Sequence, residues 1–519
     1  MKTVFTYHFQ YSPLGDGGTE SPVERIKKAS DGLRGTLKES LLDEHTGAIR
    51  EDDQTLIKFH GMYMQDDRDR REERAEKKLE RLYSFMIRLR LPGGRLNSEE
   101  WVALHNVTGD HSSGVIKITT RQTVQLHGIL KSHVKPTIAA FDHMKLDSIA
   151  ACGDVNRNVT VSAHPKFSPI HEEVFKYADK ISFLLLPKTR AYYEVWLDEE
   201  KIAEVNEEDK LYQDRYLPRK FKIAIGIPPY NDVDIFTNDI GIIAIIEKNK
   251  LVGFNIAAGG GMGTTHGNPE TYPRLATVFG FIEKDDLEKV VYEIATTQRD
   301  FGNRSDRKLS RLKYTIDRMG IDAFKAEVEK RAGVVFEPAK KAVFTTRDDM
   351  YGWQQNHEGL WYYTMFVESG RLRDDEEVQY KKACLEIAES GKAQFRFTSN
   401  QNLIVGDIKD EDKAFVHEIL SKCNVIATTE NASPLRKSAL ACVAFNTCPL
   451  ALAEAQRYMP SLITKIEEVL AKHKLLDEGI TIRMTGCPNG CARPYISEIG
   501  FIGTSLGHYN MHLGADAIG

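Results

Sequence analysis

The sequence predicts an α+β fold that is built from an internally duplicated unit with pseudo-twofold symmetry and is arranged in three lobes. Two blocks recur in the same order: Ile116–Ile129 resembles Phe395–Ile408, and Lys222–Ile243 aligns without a gap to Thr481–Ile502. Strand-turn-strand patterns within the blocks and helical apolar spacing between them indicate both types of element. The duplication predicts that the two halves share one architecture.

Matched residues inside the blocks support the duplication. Thr119 matches Thr398 in the first pair of blocks, and Gly241 matches Gly500 in the second pair. Only the second copy carries cysteines at its turn, so the two copies have diverged in their chemistry.

Bulk composition favours a water-soluble globular protein, with 41% hydrophobic and 28% charged residues in 519. A net charge of −5 argues against a general nucleic-acid binder. No apolar run is long enough for a membrane span or a signal peptide. Seven cysteines, an odd and sparse number, indicate a reducing compartment, and we expect a cytoplasmic location.

The region around residues 65–90 combines charge with a strand-like pattern. Gln65–Leu82 is rich in both signs of charge, which predicts a solvated helix or arm. The following "FMIRLRLPGG" predicts a strand that ends at Pro-Gly-Gly, with Arg88 and Arg90 on one face.

Four cysteines near the C-terminus form the pattern C-x5-C and C-x3-C, at Cys442, Cys448, Cys487 and Cys491. Four thiolates from two loops suit a [4Fe–4S] cluster, which needs one sulfur at each iron. Zinc is the first alternative, although its knuckles usually have shorter spacings. A disulfide conflicts with the inferred compartment, and "CPNGC" as a plain tight turn stays open.

These cysteine motifs, "CVAFNTCPLALAEA" and "TGCPNGCARPYISEIG", resemble those of the sulfite and nitrite reductase hemoproteins. The similarity continues through "GGRLNSEEW", "TTRQTVQLHGILK", "ACGDVNRNV", "YLPRKFKIAIGIPPYNDVD" and "TSNQNLIVG", and covers nearly the whole chain beyond about residue 50. Within the family it is closest to the NADPH-type assimilatory sulfite reductases.

The resemblance implies an architecture of ferredoxin-like and sulfite-reductase-type units, with three lobes around a siroheme and a [4Fe–4S] cluster. The four cysteines would hold the cluster, and Cys491 would also ligate the siroheme iron. The implied domains are an N-terminal arm at 1–70, one domain made of ferredoxin-like halves at 71–150 and 345–420, a first siroheme-binding domain at 151–344, and a second domain with the cysteines at 421–519.

Basic residues in the resembling motifs suit a site for a polycarboxylate cofactor and a sulfite dianion, because arginine forks bind carboxylates and clustered lysines lose protons readily. By the resemblance, four residues would bind substrate and deliver protons: Arg90, Arg157, Lys220 and Lys222. Five others would hold the siroheme: Arg121, Asn156, Arg219, Lys313 and Asn489.

The implied reaction is the six-electron reduction of sulfite to sulfide in assimilatory sulfur metabolism. Lys222 favours sulfite, since asparagine tends to occupy this position in the nitrite-reducing branch. The alternative within the family is a nitrite reductase that forms ammonia with ferredoxin as donor. A non-catalytic or zinc-binding scaffold of the same fold is the alternative from another class.

The electron donor is expected to be a separate protein. The Gly-rich loop at residues 257–275 does not match the G-x-G-x-x-G fingerprint, and no Walker motif occurs. By the resemblance the donor is an NADPH-dependent flavoprotein with FAD and FMN, and ferredoxin is the alternative. Neither a nucleic acid nor a membrane is expected as a partner.

Overall fold

The computed structural model describes residues 19–188, 194–197, 200–204 and 209–516. Helices and strands alternate irregularly along these segments, as the helical and strand-like patterns predict. The helices are α1 (Pro22–Ala29), α2 (Leu37–Leu42), α3 (Glu51–Leu56), α4 (Arg71–Glu76), α5 (Ser98–His111), α6 (Lys131–His143), α7 (Pro169–Leu184), α8 (Leu287–Phe301), α9 (Leu312–Met319), α10 (Ile321–Ala332), α11 (Tyr380–Glu389), α12 (Asp410–Lys422), α13 (Val425–Asn431), α14 (Pro434–Lys437) and α15 (Met459–His473).

The strands form several separate sheets. They are β1 (Met62–Asp66), β2 (Tyr83–Arg88), β3 (Arg95–Leu96), β4 (Ile116–Ile118), β5 (Val124–Ile129), β6 (Thr160–Val161), β7 (Glu194–Leu197), β8 (Glu200–Glu204), β9 (Ile223–Gly226), β10 (Ile240–Glu247), β11 (Lys250–Ala258), β12 (Thr277–Glu283), β13 (Gly352–Gln355), β14 (Trp361–Met365), β15 (Arg371–Leu372), β16 (Gln394–Phe397), β17 (Leu403–Ile408), β18 (Leu440–Ala441), β19 (Ile482–Thr485), β20 (Ile499–Ser505) and β21 (His508–Leu513).

Two five-stranded sheets exchange their edge strands. Their strand orders are β1-β2-β5-β4-β15 and β13-β14-β17-β16-β3. Strand β3 from the first half pairs with β16, and β15 from the second half pairs with β4. Because each half completes the sheet of the other, the two halves form one domain around a common core, in which Trp101 stacks on Phe395 at 4.3 Å between ring centroids.

The second repeated block also recurs in three dimensions. Strands β9 and β10 are parallel neighbours, with Ile223 opposite Ile240. Strands β19 and β20 are parallel neighbours too, and Ile482 lies opposite Ile499 at the same relative register. These positions are equivalent in the sequence alignment of the copies. The predicted α+β fold with an internal duplication is therefore confirmed.

Three large hydrophobic cores correspond to the three lobes. The N-terminal segment is part of two of them: Phe59 is buried in the core that surrounds β9–β11, and Ile57 in the core of the exchanged sheets. The division of the chain at residues 70, 150, 344 and 420 remains a proposal, in which Ile57 and Phe59 of the first segment pack into the domains that follow it.

The prediction of a solvated helix or arm at residues 65–82 is partly correct. Helix α4 has no buried residue and carries the expected charges. Gln65 and Asp66, however, are buried at the end of β1, which pairs with β2. The charged sequence does not reveal that β1 ends in buried residues, because a buried carboxylate here is compensated by an ion pair. Asp66 pairs with Arg71. Among the helices of the described segments, none is long and apolar enough to cross a membrane.

Candidate cofactor and substrate site

The four cysteines of the C-x5-C and C-x3-C motifs lie on two adjacent loops. Cys442 follows β18, and Cys487 follows β19. Because these strands are parallel neighbours, their carboxyl ends meet at one edge of the sheet. Gly486 joins the loops: its backbone N–H lies 3.3 Å from the Cys442 sulfur, and its carbonyl accepts from the N–H of Leu452 at 2.7 Å.

Close packing of the two loops depends on Gly486. A Cβ atom at this position would lie 2.5 Å from the carbonyl oxygen of Ala453 and 2.6 Å from the Cβ of Ala444. Any side chain would push the loops apart and separate the sulfurs, so this glycine is part of the cysteine site.

The thiols share one electrostatic environment. Burial and then repulsion from Cys491 raise the pKa of Cys448 to about 12, and the same two causes raise the pKa of Cys442 and Cys487. Such thiols become thiolates only beside a strong positive charge, which iron supplies. All seven cysteines of the chain lie in described segments and none forms a disulfide.

Four cysteine thiols on two adjacent loops are the donor set that a [4Fe–4S] cluster requires. A zinc ion needs its sulfurs at about 2.3 Å from a common centre, whereas a cubane presents four separate irons to its ligands. The donor set therefore fits the [4Fe–4S] cluster of the predicted site.

Two extended segments bring basic residues beside the cysteine loops. Arg157 donates its backbone N–H to the carbonyl of Phe221 at 2.8 Å, and Phe221 donates to Val155 at 3.1 Å. Phe221 is buried in the core. Lys220 and Lys222 therefore point to the opposite side, because side chains alternate along an extended segment.

Within the segments that the structure describes, neither lysine has a carboxylate partner for its ammonium group. Burial and then neighbouring cations, Arg219 first, lower the pKa of Lys220 to about 7, and burial and Lys220 lower the pKa of Lys222 well below its usual range. Cys491 acts on both lysines in the opposite direction, so they lie near the cysteine loops. Among the described residues, no hydrogen bond or ion pair engages either ammonium group. A cofactor with many carboxylates supplies what this group of cations needs.

The predicted siroheme ligands fall into two sets. Arg121 donates to the carbonyls of Asn158 and Ile223, with no carboxylate among its hydrogen-bond partners in the described chain. Burial and then Arg493 lower its pKa to about 9. The side-chain oxygen of Asn156 is buried without a hydrogen-bond partner. Arg121 therefore carries a positive charge without a carboxylate partner among the described residues, although its guanidinium nitrogens all donate within the protein, and Asn156 keeps an unpaired side-chain oxygen.

Lys313 and Asn489 have local partners instead. The ammonium group of Lys313 donates to the carbonyls of Gly261 at 3.0 Å and Gly263 at 2.9 Å, so it shapes the Gly-rich loop. The side-chain amide of Asn489 lies 3.4 Å from the sulfur of Cys487. Their assignment to siroheme carboxylates stays a proposal, and the structure gives both a second role next to the cluster loops.

Arg90 does not join the group of cations. Its guanidinium forms an ion pair with Asp147 at 2.7 Å, so its charge is already compensated. Arg88 instead donates to the carbonyl of Ala151 at 3.3 Å, and Arg157 donates to the same oxygen at the same distance. The structure thus places Arg88, not Arg90, beside a residue of the proposed substrate site.

Sequence reasoning missed Arg88 because strand alternation puts both arginines on one face and does not separate them. It also missed Tyr63, which hydrogen-bonds Arg157, and Arg311, which pairs with Asp239 at 2.8 Å. The repeat alignment matches Asp239 with Glu498, so the sequence shows an acidic residue at this position in both copies. It does not show that Arg311 is the partner of Asp239.

The Gly-rich loop contacts the second cysteine loop. The backbone N–H of Thr264 donates to the carbonyl of Pro488 at 2.8 Å, and a Cβ atom on Gly263 would lie 2.9 Å from the carbonyl oxygen of Asn489. This close approach between backbones explains why glycine is required at this point of the loop.

Comparisons with known proteins agree with this geometry. The family model of the nitrite/sulfite reductase ferredoxin-like half domain matches residues 78–144 and 353–423, and that of the nitrite and sulphite reductase 4Fe-4S domain matches residues 177–336. Together they cover more than half of the chain. The chain belongs to the nitrite and sulfite reductase family. The second match lies in the copy without the four cysteines, as expected for duplicated units.

Individual relatives cover most of the chain. A protein of Leptospira biflexa named sulfite reductase [NADPH] hemoprotein beta-component is 67% identical over 501 residues, which are 96% of this chain and 90% of the relative. The Bacillus subtilis protein of the same name is 49% identical over 500 residues, covering 96% and 87%.

A solved structure supports the fold. The Mycobacterium tuberculosis NirA protein aligns with a TM-score of 0.75 at 24% identity, over 95% of this chain and 87% of that chain. At this identity the likeness concerns the fold alone.

Proposed function

We propose that this chain reduces sulfite to sulfide in a six-electron reaction of assimilatory sulfur metabolism, with a siroheme coupled to a [4Fe–4S] cluster. One observation carries the proposal: four thiols on two adjacent loops lie next to Lys220 and Lys222, whose ammonium groups have no carboxylate partner among the described residues. The chain's family and the names of its relatives point to the same reaction.

The cofactors would be held by residues from both halves of the molecule. Cys442, Cys448, Cys487 and Cys491 would bind the cluster, with Cys491 shared with the siroheme iron. Carboxylates of the siroheme would be bound by Arg121, Asn156, Arg219, Lys313 and Asn489. When bound, the two cofactors supply the electron transfer to sulfur that no protein side chain can perform.

The substrate anion would be bound by Arg157, Lys220, Lys222 and, replacing Arg90 of the sequence-based set, Arg88. The arginines keep their charge and orient the sulfite oxygens through their planar forks. Lys220 differs, since a pKa of about 7 lets its ammonium group release a proton near neutral pH. Its Nζ is therefore the proposed proton donor to the departing oxygens, and Lys222 adds to the field that holds the dianion.

The electron donor in this proposal is an NADPH-dependent flavoprotein with FAD and FMN. The relatives are named beta-components of an NADPH enzyme, which supports a second component that handles the nucleotide. Ferredoxin is the alternative donor. A reducing cytoplasm is the compartment that suits seven cysteines without a disulfide.

Turnover with reduced methyl viologen tests the function without the natural donor. We expect the purified holoenzyme to consume sulfite and release sulfide, with a higher kcat/KM for sulfite than for nitrite. A protein that reduces only nitrite, to ammonia, would instead be the nitrite reductase of this family. Lys222→Asn provides the matched variant: it should lower kcat/KM for sulfite more than for nitrite, because it removes one cation from the site of a dianion.

A further inference from the structure

The charge-rich segment that follows β1 contacts the first cysteine loop. The backbone N–H of Arg68 donates to the carbonyl of Asn446 at 3.3 Å, and the side-chain amide of Asn446 donates to Asp67 at 2.8 Å. Asp69 forms an ion pair with Arg457, which lies just after the same loop. Residues 67–69, whose charges predict a solvated segment, thus bind the loop between Cys442 and Cys448.

The side chain of Arg68 makes several contacts with this loop. Its guanidinium donates to the carbonyl of Ala451 at 2.8 Å and lies 3.4 Å from the carbonyl of Cys448. It also stacks over the ring of Phe445, with 4.3 Å from the guanidinium carbon to the ring centroid. One side chain therefore holds three residues of the loop that supplies two of the four cluster sulfurs.

The charge of Arg68 is not neutralised by a direct partner. Its hydrogen-bond acceptors in the described chain are backbone carbonyls, and the nearby Asp66 already forms an ion pair with Arg71. A half-buried positive charge therefore faces the loop of Cys448.

We propose that Arg68 is a positioning residue for the cluster that also raises its reduction potential. Adding one electron to a bound cluster makes the site more negative by one charge. A cation held beside the loop stabilises that reduced state more than the oxidised one, and net charge is one of the factors that set cluster potentials. The inference rests on the proposed function, since it requires a cluster at these cysteines.

The test uses the anaerobically purified holoenzyme and an EPR-monitored redox titration with dithionite. Arg68→Gln removes the charge and keeps an amide donor, and it should shift the cluster midpoint to a more negative potential. Arg68→Lys keeps the charge and should stay near the wild type. Arg70→Gln is the matched control. Arg70 lies two residues after Arg68 on the same segment, is exposed and forms an ion pair with Glu73.

The outcomes separate this inference from the proposed function. Wild-type protein without iron and labile sulfide would refute the cluster itself. A cluster whose potential is the same in wild type and R68Q, or is shifted equally in R68K and R68Q, would overturn the role of the Arg68 charge. If R68Q does not retain the cluster, the midpoint potential of R68K decides. A potential equal to that of the wild type supports the proposal, and a more negative potential overturns it.

Discussion

Asp234 and Arg493 occupy equivalent positions in the two copies of the repeated unit and form an ion pair with each other. Both have a left-handed backbone conformation, with φ of 47° and 56°. Arg483 contacts the same carboxylate at 2.6 Å. A pair of equivalent residues in direct contact lies at the pseudo-twofold axis, so the duplication created this buried contact between the halves of the molecule.

Asp234→Asn should destabilise the protein by about 3–5 kcal/mol, because it leaves two buried arginines without their carboxylate. Its effect should depend on pH. Burial raises the pKa of Asp234, but Arg483 and Arg493 outweigh it and lower the pKa from 3.8 to about 2. The ion pair therefore stabilises the fold above pH 4 and loses this contribution as the pH falls towards 2.

Thermal unfolding at pH 5 and pH 3 measures this difference. The gap in Tm between wild type and D234N should be smaller at pH 3, and Asp477→Asn, at an exposed position, should show no gap at either pH. A gap of the same size at both pH values would contradict the linkage.

The repeated blocks predicted the duplicated fold, its strand-turn-strand units and the cysteine loops, because matched residues and turn chemistry are local signals. They could not predict the exchange of β3 and β15 between sheets, which depends on packing of distant segments. They also could not separate Arg88 from Arg90. Side chains on one face of a strand look alike in sequence, and the ion pair of Arg90 with Asp147 appears only in three dimensions.

Arg88 and Arg90 give opposite predictions for catalysis. Arg88→Gln should lower kcat/KM for sulfite by about ten- to a hundredfold, the loss expected for one charge-assisted hydrogen bond. Arg90→Gln should keep kcat/KM within about twofold and lower Tm instead, since it leaves Asp147 unpaired. Steady-state kinetics with sulfite decides, and a larger loss in R90Q than in R88Q would reverse the assignment.

Cys491→Ser should abolish retention of the cluster, because it removes one of four thiolate ligands. Cys384→Ala is the matched control: Cys384 is fully buried in the core of the exchanged sheets, and its loss should leave the iron content unchanged. Iron and acid-labile sulfide per chain measure both variants. Equal iron in C491S and the wild type would exclude Cys491 from the site.

Lys27 connects helix α1 to the two segments that carry the proposed substrate residues Arg157 and Lys220. Its fully buried ammonium group pairs with Glu24 at 2.6 Å and Asp154 at 3.7 Å, and it donates to the carbonyl of Leu217 at 3.0 Å. Asp154 precedes Arg157 closely in the chain, and Leu217 precedes Lys220.

Lys27→Met should therefore raise KM for sulfite and lower Tm, because both substrate segments lose a common partner. Lys28→Met, at an exposed position on the same helix, should change neither value. If K27M lowered Tm without any change in KM, the lysine would stabilise the fold but not position the substrate loop.

The most direct test of the central claim is an optical spectrum of the anaerobically purified protein together with its iron and acid-labile sulfide content. Coupled siroheme and cluster predict a haem-like Soret and Q-band spectrum with about five irons and about four sulfides per chain. A colourless protein that contains zinc and no iron, even after growth with iron, would contradict the account and would make the four cysteines a zinc site.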